Sequence, residues 1–179
     1  MSELINFEVK PFAAARVIGR QAICPLNEGE YNPVPTMWES MKQDGSLDFL
    51  KNLPDRATPE PDTVGWMGEY NPESNSFIYI AGVLTKPAAS VPEGFVYRDL
   101  PECQMGIAWV QGTGENGDVY SGAHNHCAKA VQDNGYEYDY SAGGFEMEYY
   151  SHARFVVPFE NGEILLIMDY YSPCKRKQL

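Results

Sequence analysis

An internal repeat is the feature of this sequence that most constrains its fold. Residues 7–10 (FEVK) match residues 95–98 (FVYR), which lie 88 positions later in the chain. The two halves, approximately 5–86 and 94–172, each show a predicted strand, helix, strand and strand in the same order. A single copy of such a module cannot bury its apolar face, so two copies are expected to share one sheet.

The repeat predicts an α+β fold in which a duplicated strand–helix–strand–strand module forms a curved antiparallel sheet with two helices and pseudo-twofold symmetry. We expect a single domain over residues 1–179. The helix of the first half is predicted from Thr36 to about Leu53, with Thr36 and Glu39 as a capping box and Gly45 ending or bending it. The other predicted elements are extended segments at 5–19 and 94–111, a helix at 123–134, strands at 63–70, 76–85, 145–150 and 163–171, and loops at 20–35, 54–62 and 112–122.

The charge balance disfavours nucleic acid as a direct partner. The chain has 13 Lys and Arg against 25 Asp and Glu, a net charge of −12, and nucleic-acid binding needs basic side chains to neutralise phosphates. The short basic cluster at 175–177 is interpreted as a solvated end. An acidic field favours a cationic ligand or partner instead.

The sequence also gives no sign of a membrane or secreted protein. Its first residues lack the basic and apolar regions of a signal peptide, and no stretch approaches the roughly 18 apolar residues of a membrane helix. The four cysteines are far apart, which is typical of reduced thiols. We therefore expect a cytoplasmic protein.

The segment Phe145–Tyr150 (FEMEYY) is the most informative string for function. In a strand, Phe145, Met147 and Tyr149 face one way and are expected to form core under a helix. Glu146, Glu148 and Tyr150 then share the opposite face. That face has two interpretations, a solvent-exposed strand surface or the charged centre of a ligand pocket. Two nearby carboxylates repel each other when buried, so only one is expected to be deep.

Aromatic residues are frequent in the predicted strands and the first helix. A carboxylate surrounded by aromatic faces is a good receptor for a lipophilic cation, because cation–π contacts add to the opposite charge. The predicted ligand-binding residues are Glu148, Glu146, Tyr150, Trp38, Trp66, Tyr70, Tyr79 and Trp109.

The string at 123–127 (AHNHC) suggests a metal or nucleophile site only superficially. Its spacing matches no zinc pattern, and His126 and Cys127 would project in different directions from a helix. The loop at 112–122 lacks the Gly-Lys-Ser/Thr ending of a phosphate-binding loop. The sequence therefore predicts no metal and no cofactor.

Taken together, these motifs resemble the GyrI-like family, the effector-binding domains of AraC-type and multidrug-responsive regulators and of stand-alone proteins. The features that carry the resemblance are the opening FEVK, a first helix bearing Trp38, the strand IYIAGV at 78–83 followed by PEG at 92–94, and an aromatic-Glu-x-Tyr string before the last strand. The resemblance implies a pocket between the two modules in which one glutamate binds lipophilic, often cationic, small molecules.

The choice of glutamate follows from the family spacing. The family string is usually Phe-Glu-x-Tyr, but position 148 is Glu where Tyr is expected. Met147 to Tyr150 restores the Glu-x-Tyr spacing, and the repeat aligns Glu69 with Glu148. We therefore prefer Glu148 over Glu146. The closing strand also departs from the family, with Met-Asp-Tyr at 168–170 in place of a Pro-containing end.

Three functions remain open at this stage. With 5–171 assigned to the effector fold, we expect no helix-turn-helix domain and a stand-alone small-molecule-binding protein. A subset of the family resembles hydrolases of cyclopropane-containing electrophiles, in which Glu148 or Glu146 would activate water as the catalytic residue. The third possibility is a protein-interaction module such as a gyrase-inhibitor-like protein, bound through the acidic surface. The oligomeric state is not predicted.

Overall fold

Each half of the chain begins with two strands, continues with helix and ends with further strands. A computed structural model describes residues 1–113, 117–158 and 164–178. The first half contains β1 (Glu3–Phe12), β2 (Ala15–Pro25), α1 (Val34–Gln43), α2 (Ser46–Lys51), β3 (Thr63–Asn71) and β4 (Ser76–Thr85). The second contains β5 (Val96–Leu100), β6 (Cys103–Gly112), α3 (Asp118–Asp133), β7 (Tyr136–Tyr138), a short 3-10 helix (Tyr140–Ala142), β8 (Glu146–Tyr150), β9 (Val156–Pro158) and β10 (Ile164–Arg176).

The strands form one antiparallel sheet in the order β1-β6-β10-β8-β3-β4-β2-β5, with β7 and β9 pairing on β10. Its centre is the pair β3–β8, one strand from each half, and the outer strands repeat the same arrangement on either side. The first strand of each half pairs with the other half, β1 with β6 and β5 with β2. The predicted α+β fold with a duplicated module is confirmed.

Two short connections show that the sheet is strongly curved. β1 lies at one edge and β2 near the other, yet only residues 13 and 14 separate them in sequence. β5 and β6 are likewise near opposite edges and are joined through residues 101 and 102. Because each extended residue spans only about 3.5 Å, these links require the two edges to approach each other.

The curvature creates a core on each face. β4 is apolar on both sides, with Tyr79 and Val83 packed under the helices and Ile80 on the opposite face. α1 and α2 cover β2 and β4, whereas α3 covers β6 and β10. The central strands β3 and β8 therefore lie between the helices of the two halves. Among the described residues, no helix has the length and apolarity needed to cross a membrane.

The predicted first helix is two helices. Gly45 has φ of 79° and separates α1 from α2, so the expected break at this glycine is confirmed. The predicted capping box is wrong, because α1 begins before Thr36. Pro33 is the N-cap residue and no side chain caps the helix. Pro35 fits the first helical turn, where the missing N–H has no partner to lose.

Two predicted loops are partly regular structure. β2 continues to Pro25 because Arg16 to Pro25 pair with β4, so the predicted loop at 20–35 begins later. α3 starts at Asp118, inside the predicted loop at 112–122, of which 114–116 lie outside the described residues. The last strand begins at Ile164, while the predicted first residue, 163, also lies outside them.

Candidate functional site

The candidate site lies on the helical face of the sheet, over the central strands β3 and β8. We call this strip the groove. Its lining from β8 is Glu146, Glu148 and Tyr150, and from the helices it includes Trp38 on α1 and His124 on α3. Opposite Glu146 in the ladder lies Met67 of β3, which contacts the core clusters of both halves. The groove is therefore built by the two modules together.

Glu148 is the buried charge of the groove, with 9% of its surface exposed. Its Oε2 accepts hydrogen bonds from the Tyr79 hydroxyl at 2.8 Å and the Tyr150 hydroxyl at 2.5 Å. The Trp38 indole N–H donates to the Tyr79 oxygen at 3.1 Å, and the Trp38 ring packs edge-on against Tyr150 with centroids 5.4 Å apart. Four predicted site residues thus form one hydrogen-bonded cluster.

A glycine on the neighbouring strand provides the space for this carboxylate. Gly65 of β3 lies directly opposite Glu148 in the ladder. A Cβ at this position would come within 1.9 Å of the Tyr79 hydroxyl oxygen and 2.9 Å of Glu148 Oε2. Tyr79 reaches Glu148 across the site that a side chain at 65 would occupy. Gly65 is therefore part of the site although it carries no functional group.

Burial controls the ionisation of this cluster. Removal from water raises the pKa of Glu148, and the two tyrosine hydrogen bonds act in the opposite direction. Burial, followed by the nearby Glu148 carboxylate, raises the pKa of Tyr79 well above its usual value. The same two causes raise the pKa of Tyr120 on α3.

The second glutamate has a different environment. The His124 Nδ1–H donates to Glu146 Oε2 at 2.9 Å, and the Tyr170 hydroxyl donates to the same oxygen at 3.0 Å. The Ser172 hydroxyl donates to Oε1 at 3.0 Å. The hydrogen bond to Glu146 raises the pKa of His124, so this carboxylate has a titratable cationic partner.

The remaining predicted site residues lie away from Glu148. Trp66 and Trp109 pack on the opposite face of the sheet, where Trp66 stacks on Phe145 and Arg154 lies over the Trp109 ring. Tyr70 is exposed near the end of β3 and donates to Asn75.

The repeat-based alignment of Glu69 with Glu148 does not correspond to their environments. Glu69 is exposed at an irregularity in the pairing of β3 with β4 and forms an ion pair with Arg98. Phe145, Met147 and Tyr149 are core residues, but the prediction that they lie under a helix is wrong. They face the side away from the helices, because β8 turns its other side toward the groove.

Sequence reasoning missed Gly65 and His124 as residues of the candidate site. The signal for Gly65 was its position in a strand, since an interior glycine marks a close approach of another group. His124 lies one turn after Tyr120, on the α3 surface facing the groove, and only the sheet register shows that it reaches Glu146.

Two cavities elsewhere do not carry a buried charge. One of about 590 Å³ opens at the end of β2 and β4 and includes the exposed residues Ile23 and Glu69. Another of about 290 Å³ lies on the face away from the helices, with Tyr149 and Tyr171 in its wall. The buried acid of the groove is therefore a stronger chemical indicator of a site than either volume. No cluster of three or more potential metal ligands occurs among the residues that the structure describes.

Comparison with known proteins agrees with this architecture. The family model of the GyrI-like small molecule binding domain matches residues 5–170. No curated protein matches the chain at a significant level.

Several solved structures share the fold at low sequence identity. SAV2435 bound to tetraphenylphosphonium is similar with a TM-score of 0.66 and 12% identity, covering 96% of this chain and 94% of that one. A putative bacterial transcription regulation protein from Staphylococcus aureus MU50 has a TM-score of 0.63 and 10% identity over 95% and 98% of the two chains. The EcmrR C-terminal domain has a TM-score of 0.54 and 12% identity over 96% and 98%.

Proposed function

The chain belongs to the GyrI-like family of small-molecule-binding domains, and we propose that its ligand is a lipophilic organic cation held against Glu148 in the groove. The observation that carries this proposal is the environment of that carboxylate. Within the described part of the chain, its hydrogen-bond partners are the neutral hydroxyls of Tyr79 and Tyr150. A cationic ligand would supply the positive charge that Glu148 otherwise lacks.

The cost of burying a carboxylate explains why this environment points to a ligand. Removing a charged group from water costs several kcal/mol unless an opposite charge compensates for it. The two phenol hydrogen bonds offset only part of that cost, since the pKa of Glu148 stays raised. A structural role alone would be served as well by a neutral glutamine. Retaining the acid is useful when a cation binds beside it.

The aromatic groups around Glu148 favour an organic cation over a hydrated metal ion. Trp38 and Tyr150 pack edge to face at this position, and Phe155 packs edge-on against Tyr150 with centroids 4.8 Å apart. Each ring that contacts a bound cation contributes about 0.5–2 kcal/mol, more when water is excluded. The fold similarity to SAV2435, a protein solved with tetraphenylphosphonium, supports the same ligand class.

The proposal is tested by titrating the protein with tetraphenylphosphonium while following tryptophan fluorescence and the heat of binding. Glu148→Gln keeps the shape of the site but removes its charge. We expect the affinity to fall roughly 10- to 100-fold, which corresponds to one lost charge-assisted interaction. Glu69→Gln is the matched control, because it removes an exposed glutamate that pairs with Arg98.

A neutral ligand of similar size, triphenylphosphine oxide, separates charge from apolar contact. It should bind weakly and to the same extent in the wild type and in Glu148→Gln. Unchanged tetraphenylphosphonium affinity in both Glu148→Gln and Glu146→Gln would overturn the proposal.

A further inference from the structure

We infer that His124 sets the amount of positive charge that the groove accepts, so that the groove selects singly charged cations over dications. This inference rests on the proposed function and extends it to specificity. It concerns Glu146, the second carboxylate of the groove, and its imidazole partner on α3.

The two glutamates lie close together on one strand face. They are two residues apart in β8, so their Cα atoms are separated by about 7 Å and their side chains point the same way. Two uncompensated carboxylates at this spacing would form a receptor for a dication. The structure instead gives the two carboxylates different partners.

Both carboxylate oxygens of Glu146 already accept hydrogen bonds from other side chains of the protein. Its Oε2 accepts from His124 Nδ1 and from Tyr170, while its Oε1 accepts from Ser172. Glu148 accepts only from phenols within the described residues. When His124 is protonated, the pair Glu146–His124 is neutral overall and Glu148 is the remaining net charge.

The groups that face His124 support this assignment of one net negative charge to the groove. β8 presents Glu146 and Glu148, and β10 presents the Tyr170 hydroxyl, whose ring packs edge-on against the imidazole. On α3 the neighbouring titratable group is Tyr120, a phenol whose pKa burial raises, so it stays neutral. Among the described residues, no Lys or Arg forms an ion pair with Glu146 or Glu148.

The charge of the groove should therefore change with pH. The hydrogen bond to Glu146 raises the pKa of His124, which keeps the imidazole charged to a higher pH than a free histidine. As pH rises through that pKa, the groove changes from one net negative charge to two. Below this pH a second positive charge on the ligand meets a neutral pair that does not compensate it, and above this pH it meets the uncompensated Glu146 carboxylate, at a separation taken as about 8 Å. Coulomb's law with an effective dielectric constant between 20 and 80 gives an effect of roughly 2- to 30-fold in affinity.

Two dyes that share one ring system measure this specificity. Ethidium carries one positive charge, and propidium carries the same phenanthridinium ring with a second, quaternary ammonium group. We expect the wild type to prefer ethidium at pH 6 and to lose that preference at pH 8.5. His124→Gln should raise propidium affinity relative to ethidium by about 2- to 30-fold at pH 6 and remove the pH dependence of the ratio.

Two further variants make the result specific. His126→Gln changes the other histidine of the same helix segment, which contacts Ser2, and should leave the dye ratio unchanged. Glu146→Gln leaves the imidazole without its carboxylate and should lower propidium affinity further while His124 is charged. Thermal melting of each variant establishes that it is folded.

The outcomes separate this inference from the proposed function. If the dye ratio in His124→Gln equals that of the wild type at both pH values while Glu148→Gln still weakens ethidium, the role of His124 is refuted and cation binding at Glu148 stands. If neither dye binds the wild type but tetraphenylphosphonium does, this inference is overturned and cation binding at Glu148 stands; if none of the three binds, both proposals are overturned.

Discussion

Replacing Glu148 by glutamine should stabilise the folded protein at neutral pH even though it weakens ligand binding. Glu148 is 9% exposed, and burial raises its pKa above the ordinary value of 4.5. The folded state therefore binds this proton more tightly than the unfolded state does. Above the folded pKa, each unit of elevation lowers the free energy of unfolding by about 1.4 kcal/mol relative to an unperturbed carboxyl group.

The size of the stability gain in Glu148→Gln follows from two opposing effects. Replacing a buried ion pair with neutral residues of similar volume is often neutral or stabilises a protein by about 1–4 kcal/mol, and we expect a gain in the same range when a buried, uncompensated carboxylate is neutralised. The glutamine carbonyl can still accept from Tyr79 and Tyr150, but neutral hydrogen bonds are about half as strong as charge-assisted ones. A net gain of about 1–2 kcal/mol remains. For a chain of 179 residues this corresponds to a rise in Tm of roughly 2–8 °C.

The pH dependence identifies the cause. The stability penalty of the wild type is complete above the folded pKa of Glu148 and disappears as pH falls through that value toward 4.5. Urea unfolding of the wild type and Glu148→Gln between pH 4 and 8 should show curves that converge at the acid end. Glu146→Gln is the control and should be destabilising at pH 6, because it removes the partner of His124.

A loss of more than about 1 kcal/mol in Glu148→Gln at pH 7.5, with no convergence at low pH, would refute this reasoning. It would mean that the carboxylate is a net stabilising group, through a positive partner or a hydrogen-bond network stronger than the one described. The proposed ligand role would then lose its main physical argument.

Other perturbations test the remaining groups of the site and the thiols. Gly65→Ala should lower the free energy of unfolding by about 1–3 kcal/mol and weaken cation binding. The new Cβ would lie 1.9 Å from the Tyr79 hydroxyl oxygen and would displace it. Chemical unfolding measures the first effect and ligand titration the second. His124 has a raised pKa, so its stabilising ion pair is fully present below pH 6.5 and lost as pH rises through the folded value. The wild type should therefore lose up to about 1 kcal/mol more stability than His124→Gln between pH 6 and 9, and equal losses would contradict the pairing. Burial raises the pKa of both Cys24 and Cys103 to about 11, so thiol labelling of the folded protein at pH 7.5 should be roughly 100-fold slower than in urea, whereas equal rates would show exposed thiols.

The fold was largely predictable because it is carried by a repeated pattern. Each half contains its own alternation of apolar residues and its own amphipathic helix, and the pairing of the halves follows from the need to bury their faces. The exchange of β1 and β5 between halves was not predictable in this way. Alternation within a strand does not specify which strand it pairs with, and the structure shows that β1 joins β6 and β5 joins β2.

The site was predictable only in part. Strand alternation places Glu146, Glu148 and Tyr150 on one face, and this holds in the structure. The same rule does not say which distant residues reach that face. Tyr79 reaches Glu148 because β3, which lies between them, carries glycine at position 65. Trp66 follows Gly65 in the same strand, so strand alternation turns its side chain to the opposite face.

The central strand pair also shows why a duplicated fold needs an asymmetric site. A strict twofold repeat would place equivalent acids on β3 and β8, and two buried carboxylates facing each other across a ladder would repel strongly. Here β8 supplies both acids, whereas β3 supplies Gly65 opposite Glu148 and Met67 opposite Glu146. One module thus provides the charge and the other the space, which allows a single carboxylate to be buried at the boundary between the two copies.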